Sequence, residues 1–347
     1  VLMTEDDYAL EAANNAVSDD REVAALLNEA NKMQLYKLIV DGTWNAGETV
    51  TDEEGNESTS YQYLTTVKTN KMVNTDDLAT TAMVAGDVIN GIEMSGYVAN
   101  PKMYRVNGNS NLPGWTLAAN EDHAINIGWG GTAPSAGEYV TDQYINYYGD
   151  GDYNMYQTIS DLPVGIYAVV MATRTPLVDK TAEFERIFYY NAQDEEGNWD
   201  KYMYATVNGE EKVVTPFLGL SSYYGSHSGE YNTLINNLVV ADGAELTIGL
   251  NEHYVSGQAM KHEDNTAQSS WTGTTMADDV HLYFVAPLEG YDYKAALAEM
   301  ETAMSVITPN ATVTEVYNVN GVRLAKAQKG INIVKMSNGK VMKVLVK

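Results

Sequence analysis

The sequence predicts a mainly β chain whose central part is a β-sandwich of the jelly-roll type. Short runs in which apolar and polar residues alternate recur through the middle of the chain, and Gly- or Pro-containing turns separate them. Helical patterns are confined to the two flanks. With 347 residues, of which 44% are hydrophobic, the chain can form a substantial core and more than one structural part.

The N-terminal part, residues 1–85, is predicted to hold a helical segment followed by a hairpin. Polar residues at 18–20 favour a helix start, and the apolar residues that follow recur at helical spacing. We therefore expect helix over residues 4–40. The acidic, Gly-containing stretch 52–56 then predicts a turn, and residues 61–67 predict a strand.

The central part, residues 86–290, carries the strongest strand signals. Asn208-Gly209 predicts a tight hairpin because both residues tolerate positive φ angles. Asp242-Gly243 is expected to join two further strands in a similar way. The alternation of a half-buried strand is clear at the apolar positions Leu246, Ile248 and Leu250, and again at Val280, Leu282 and Phe284.

The C-terminal part divides into a linking helix, residues 291–308, and a small antiparallel β unit, residues 309–347. The β unit contains two Asn-Gly turns. It holds seven Lys or Arg and one acidic residue, whereas the whole chain has a formal net charge of −26. Such a reversal of charge indicates a separately specified module.

The composition argues against several classes of function. A chain with 47 acidic and 21 basic side chains repels phosphate backbones, so we expect no nucleic-acid partner. Without Cys there are no disulfides, thiolate zinc sites or thiol nucleophiles. No apolar run is long enough for a transmembrane helix. The motifs of zinc proteases, serine hydrolases and phosphate-binding loops are also missing.

Four segments of the central part follow one another in a familiar order. They are an Asn-rich segment at Asn107-Gly108-Asn109, a Gly114-Trp115 strand, the strand pair from Gln157 through Leu162-Pro163-Val164-Gly165 to Tyr167, and a closing strand at Asp278-Asp279-Val280. Together they resemble galactose-binding-like β-sandwich domains, a fold of many carbohydrate-binding modules. The resemblance covers residues 100–285 and implies a polysaccharide or glycan partner. It also implies a structural calcium ion with Asp279 as a candidate ligand, and no other cofactor.

The C-terminal β unit has a resemblance of its own. It begins with Tyr317-Asn318-Val319-Asn320-Gly321-Val322-Arg323, continues with Lys329-Gly330-Ile331 and ends with a Lys-Val strand. This order is similar to C-terminal sorting-type domains on proteins exported by anaerobic bacteria of the gut and mouth. The resemblance implies a secreted or cell-surface protein, with the cell surface or the secretion machinery as a partner of the tail.

The candidate ligand-binding residues are aromatic. Sugar rings present apolar C–H faces surrounded by hydroxyls, and exposed aromatic planes beside polar side chains suit both features. For Trp115 we expect a place in the core. The loops at one end of the sandwich are predicted to bind sugar through Trp129, Tyr139, Tyr147, Tyr148, Tyr223, Tyr224, His227 and Trp271.

We interpret the chain as an exported, non-catalytic carbohydrate-binding protein, and two alternatives remain. One is a glycoside hydrolase or lyase on the same sandwich, using carboxylates such as Glu183 and Glu185, which alternation would place on one strand face. The other is a surface adhesion or assembly protein that binds no small ligand.

Overall fold

A computed structural model describes much of the chain. The described residues are 21–75, 80–101, 103, 105–106, 112, 114–119, 139–140, 145–148, 153–178, 188–189, 198–199, 201–220, 232–252, 274–302, 312–318, 321–337 and 341–346. No helix within these ranges is long and apolar enough to cross a membrane.

The helices of the described residues are α1 (Arg21–Val40), a short 3-10 helix (Ser95–Tyr97) and α2 (Tyr293–Thr302). The strands are β1 (Gly47–Thr51), β2 (Glu57–Tyr61), β3 (Thr65–Thr75), β4 (Thr80–Glu93), β5 (Arg105–Val106), β6 (Thr116–Ala119), β7 (Tyr139–Val140), β8 (Ile145–Tyr148), β9 (Tyr153–Ile159), β10 (Gly165–Val178), β11 (Phe188–Tyr189), β12 (Lys201–Val207), β13 (Val213–Pro216), β14 (Gly219–Leu220), β15 (Asn232–Val240), β16 (Leu246–Glu252), β17 (Thr274–Ala286), β18 (Val313–Asn318), β19 (Arg323–Leu324), β20 (Gly330–Met336) and β21 (Val341–Val346).

The chain forms two compact units. Unit 1 comprises Val1–Leu64, Leu162–Val164 and Pro287–Lys347, and unit 2 comprises Thr65–Asp161 and Gly165–Ala286. Each unit therefore combines segments that are distant in the sequence. Residues 65–85, which the sequence groups with the N-terminal part, belong to unit 2.

Unit 2 is built on two mainly antiparallel sheets, as the sequence predicts. The first sheet has the order β11-β10-β17-β4-β3, with β15 and β14 beside β10 and β8 beside β17. The second sheet has five strands in the order β13-β12-β16-β9-β6. Strand β15 of the first sheet packs against β12 and β13 of the second. This face-to-face packing defines a β-sandwich.

The alternating apolar residues fill the space between the sheets. Tyr167 and Phe284 pack edge to face with ring centroids 5.7 Å apart. The predicted inward residues of β16 and β17 are indeed buried at 0–1% exposure, namely Leu246, Ile248, Leu250, Val280, Leu282 and Phe284. Gly165 lies directly against the Phe284 ring, since a Cβ at this position would overlap it.

The hairpin of β3 and β4 is joined to the first sheet at one end and covers part of the outer face of that sheet. In the described pairing, β4 joins β17 only through Ile92 and Glu93. The hairpin then crosses the outer face of the first sheet, where Ile89 packs against Ala168, Val170 and Tyr283. Strand β3 reaches β15 on the far side of β10. The hairpin therefore covers apolar residues on the outer face of the first sheet.

Two predicted turns have different roles. Asn208 and Gly209 have φ angles of 53° and 70°, and they close the β12–β13 hairpin as predicted. Asp242-Gly243 does join β15 to β16, but these strands belong to opposite sheets. The second turn is thus a connection between the two layers, which local sequence does not distinguish from a hairpin.

The motif residues Gln157 and Trp115 hold one irregular segment of unit 2. The Gln157 side chain accepts a hydrogen bond from Ala99 N at 2.8 Å and donates one to Ala99 O at 3.1 Å. Trp115 is 7% exposed and its Nε1 donates to Asn100 O at 3.2 Å. The expected core position of Trp115 is confirmed.

Unit 1 contains a cluster of tyrosines around the Leu162–Val164 segment. Tyr36 of α1 is fully buried, and its ring centroid lies 5.1 Å from that of Tyr293 and 6.1 Å from that of Tyr291. Val164 N donates to the Tyr36 hydroxyl at 2.9 Å, and the Tyr293 hydroxyl donates to Val164 O at 2.9 Å. Both backbone groups of this buried residue are thereby satisfied.

The predicted C-terminal β unit is a four-stranded antiparallel sheet with the order β19-β18-β20-β21. Helix α1 packs against β20 and β21. Lys343, which is 8% exposed, forms an ion pair with Glu29 of α1 at 3.1 Å. The predicted strand over 61–67 is interrupted, because β2 ends at Tyr61 and β3 begins at Thr65.

Candidate functional site

The outer face of the five-stranded sheet carries a grouping of aromatic and polar side chains. Side chains alternate along β12, so Met203 and Ala205 enter the core while Tyr202 and Tyr204 point to the outer face. The paired strand positions place Tyr156, Gly249 and Tyr204 side by side on β9, β16 and β12. Asn154, Asn251 and Tyr202 form the adjacent row. We call Tyr156, Tyr202, Tyr204, Asn154 and Asn251 the tyrosine face.

Gly249 shapes the tyrosine face. A Cβ on Gly249 would meet Cζ of Tyr204 at 2.5 Å and its Cε1 at 2.6 Å, so only glycine leaves room for the ring to lie across β16. The ring reaches the next strand, where the Tyr204 hydroxyl donates to Asn154 Oδ1 at 2.8 Å. This bond fixes the Asn154 amide with its oxygen toward Tyr204 and its Nδ2 group turned away.

The tyrosines differ in accessibility. Tyr204 is 3% exposed, whereas Tyr202 and Tyr156 are half-buried. Burial raises the pKa of the Tyr202 and Tyr204 hydroxyls, so both remain neutral donors at physiological pH. The tyrosine face therefore offers uncharged hydroxyls and partly open ring surfaces beside two amide side chains.

Lys212 lies on this face. It follows the β12–β13 turn, it is exposed, and its Nζ lies 4.5 Å from the Tyr204 ring centroid and 6.0 Å from that of Tyr202. Both distances allow a cation–π interaction. The two rings, whose centroids are 6.2 Å apart at an interplanar angle of 65°, thus form a shallow corner that holds an ammonium group.

A charged cluster of a different kind lies on the first sheet. His281 Nδ1 is 2.8 Å from Glu93 Oε1, and His281 Nε2 is 3.1 Å from Asp279 Oδ1. Ser95 Oγ donates to Glu93 Oε1 at 2.9 Å and accepts from Leu282 N at 3.2 Å. Burial by itself would lower the pKa of His281, but the hydrogen bonds and charges of Asp279 and Glu93 outweigh it and raise the pKa to about 9.

This arrangement is suited to holding the fold together. Both imidazole nitrogens face carboxylates, so His281 is an imidazolium at neutral pH with no nitrogen left to accept a proton from a substrate. Asp279 has a φ of 55° and lies at a β-bulge in the pairing of β17 with β10. Its carboxylate binds His281. Within the described part of the chain, no group of three or more His, Asp or Glu has the geometry of a metal site.

The loop residues predicted to bind sugar are only partly described. Tyr139 lies in β7, opposite Val106 of β5, and Tyr147 and Tyr148 lie in β8, opposite Thr275 and Thr274 of β17. The other predicted ligand-binding residues and the alternative carboxylates lie outside the described residues, namely Trp129, Glu183, Glu185, Tyr223, Tyr224, His227 and Trp271.

The tyrosine face is not among the binding residues predicted from the sequence. Tyr202 and Tyr204 are two residues apart in a predicted strand, and this spacing alone predicts that both rings lie on one side of the sheet. Their neighbours Asn154 and Gly249 were not predictable, because they depend on which strands pair and in which register.

No protein family model and no curated protein matches the chain. Among solved structures, TmCBM61 in complex with β-1,4-galactotriose is 16% identical with a TM-score of 0.25, over 49% of this chain and 88% of that chain. The enzymatically active domain of tailspike protein 4 of bacteriophage CBA120 is 11% identical with a TM-score of 0.27, over 49% of this chain and 19% of that chain.

A third structure represents carbohydrate-binding modules from the β-sandwich superfamily, described for their promiscuous specificity. It is 10% identical with a TM-score of 0.22, over 69% of this chain and 86% of that chain. Because these scores are low, we infer the function from the chain's own residues.

Proposed function

We propose that this chain is a non-catalytic carbohydrate-binding protein, and that the tyrosine face is a binding surface for a glycan. The observation that carries the proposal is the pairing register of β9, β16 and β12. It places two half-buried tyrosine rings and two amide side chains on neighbouring strands. The hydrogen bond between Tyr204 and Asn154 already orders these two side chains, so a ligand need not order them.

The chemistry of the face matches that of a sugar. The ring surfaces of Tyr156 and Tyr202 can pack against the C–H face of a pyranose, and burial keeps the hydroxyl of Tyr202 protonated as a donor. The Asn154 Nδ2 group and the Asn251 amide can bind sugar hydroxyls. Neighbouring strands are about 4.8 Å apart, which is close to the length of one sugar unit. A short glycan can therefore contact several strands at once.

The loop aromatics belong to the same proposal. Trp129, Tyr223, Tyr224, His227 and Trp271 are proposed to add contacts at one end of the sandwich. Export to the cell surface is likewise proposed, on the resemblance of the C-terminal β unit to sorting-type domains. An open surface that buries little ligand area gives modest affinity for one sugar unit, so we expect stronger binding to oligosaccharides than to monosaccharides.

A glycan array with the full chain tests the function, and variants test the site. Tyr202→Leu and Tyr156→Leu remove the half-buried rings, and each is expected to weaken binding about threefold to tenfold. Tyr63 belongs to unit 1 and is 38% exposed, so Tyr63→Leu makes the same substitution away from the tyrosine face. This variant is the matched control and should bind normally. Trp129→Ala tests the loops separately.

The outcomes distinguish function from site. No retention of any plant, host or microbial glycan, with or without calcium, would refute carbohydrate binding. Binding that survives Tyr202→Leu and Tyr156→Leu but is lost in Trp129→Ala would move the site from the tyrosine face to the loops. Hydrolysis or elimination products from a bound oligosaccharide would contradict the non-catalytic part of the proposal.

A further inference from the structure

The ammonium of Lys212 occupies the aromatic surface that a glycan would need. It lies over the rings of Tyr204 and Tyr202 at 4.5 and 6.0 Å, within the range in which a cation is attracted to a ring face. Lys212 is exposed and has a long, flexible side chain. No carboxylate among the described residues forms a salt bridge with it. The ring corner is thus a site that accepts an ammonium, and the chain's own lysine fills it.

A ligand that packs on this corner must displace Lys212. A neutral sugar that does so loses the cation–π attraction and does not replace it. A sugar with a protonated amine restores the attraction with its own ammonium, so the exchange is close to balanced and the remaining contacts add to binding. The formal charge of −26 acts in the same direction, because it attracts cations and repels anionic glycans.

We propose that the tyrosine face is selective for glycans that carry a free, protonated amino group, such as oligomers of a hexosamine without its N-acetyl group. This inference rests on the proposed glycan-binding function and specifies its ligand class. Lys212 acts as a competing occupant that any ligand has to move, and Tyr202 and Tyr204 are the residues that determine selectivity for the cation.

The experiment compares two ligands that differ in one group. Isothermal titration measures the affinity of the full chain for glucosamine oligomers and for N-acetylglucosamine oligomers of equal length and linkage. We expect the free-amine oligomer to bind about twofold to fivefold tighter at low salt, the range given by an exposed cation–π contact. The preference should shrink as salt is added and should vanish at a pH that deprotonates the amine.

Variants test the role of the lysine. Lys212→Met keeps the apolar stem and removes the charge, and it is expected to tighten binding of the free-amine oligomer because the competing cation is gone. Lys329→Met changes the net charge equally at an exposed position in unit 1 and is expected to have little effect. Tyr202→Leu should reduce the preference for the amine over the N-acetyl form.

Equal affinity for the two oligomers, or tighter binding of the N-acetylated one, would overturn the inference and leave the proposed function intact. The inference would also be overturned, and the proposed function kept, if the chain bound only neutral glycans on the array. A lysine-rich peptide that competes as well as the free-amine oligomer would also overturn it, since the cation partner would then be a protein. If the chain binds no glycan of any kind, the proposed function fails first and this inference fails with it.

Discussion

Deprotonating His281 is expected to weaken the fold of unit 2 at mildly alkaline pH. The imidazolium lies between Glu93 and Asp279, and its pKa rises from the usual 6.5 of histidine to about 9 in the folded chain. A group whose pKa is raised by folding stabilises the folded state fully below its unfolded pKa, and this contribution falls as the pH rises to the folded pKa. The free energy of unfolding should therefore decrease between pH 6.5 and about 9.

The size of this effect follows from the shift. One pKa unit corresponds to 1.36 kcal/mol, so the shift of His281 gives a loss of about 3 kcal/mol as an upper value. The interaction between His281 and Glu93 also makes the free energy of unfolding decrease at acid pH. Burial alone would raise the pKa of Glu93, but the hydrogen bond and charge of His281 lower it overall, so the contribution of the pair is present above pH 4.5 and lost below it. The stabilisation is counted once, because both shifts report one interaction.

Chemical denaturation of wild type and His281→Gln at a series of pH values measures the effect, with the difference between the two proteins removing other titrations. The difference should be largest between pH 4.5 and 6.5 and should shrink by pH 9. An NMR titration of the His281 ring should give a pKa near 9, and Asp279→Asn, which tolerates the positive φ, should lower it. A difference that is flat or grows from pH 6.5 to 9 would refute the reasoning.

Three further substitutions test packing and hydrogen bonds. Gly249→Val should displace the Tyr204 ring and destabilise the chain by about 2–4 kcal/mol, from overpacking plus one lost hydrogen bond, and an unchanged thermal midpoint would contradict the close contact. Tyr36→Phe should cost about 1–3 kcal/mol in denaturant unfolding, because a buried backbone N–H loses its acceptor. Gln157→Leu should speed hydrogen exchange at the Ala99 amide, which loses its side-chain acceptor, and unchanged protection there would disprove that role.

Much of the local structure was predictable because it depends on residues close in the sequence. Asn208-Gly209 predicts its hairpin by backbone preference alone, and the alternation of Leu246, Ile248 and Leu250 predicts which face of β16 is buried. The destination of a strand after a turn is not a local property. Asp242-Gly243 therefore has the composition of a hairpin turn but connects two sheets.

The candidate site was also predictable only in its local part. The sequence supplied tyrosines two residues apart on a strand, but it did not indicate that Tyr204 would lie across Gly249 and bond to Asn154, residues 45 and 50 positions away. His281 alternates with the inward residues Val280 and Leu282, but this alternation does not indicate Glu93, which the β3–β4 hairpin brings from 188 positions away. Both sites depend on the register and pairing of distant strands.

The sequence by itself determined the mainly β character of the chain, the faces of its strands and the helices that flank them, since periodicity and turn chemistry act over a few residues. Only the tertiary structure decided that the β3–β4 hairpin covers the sandwich and that Leu162–Val164 belongs to unit 1 with Tyr36 and Tyr293. It also decided that an ammonium and two rings meet on the outer face of one sheet. Such contacts arise from long-range burial and strand pairing, which no local pattern encodes.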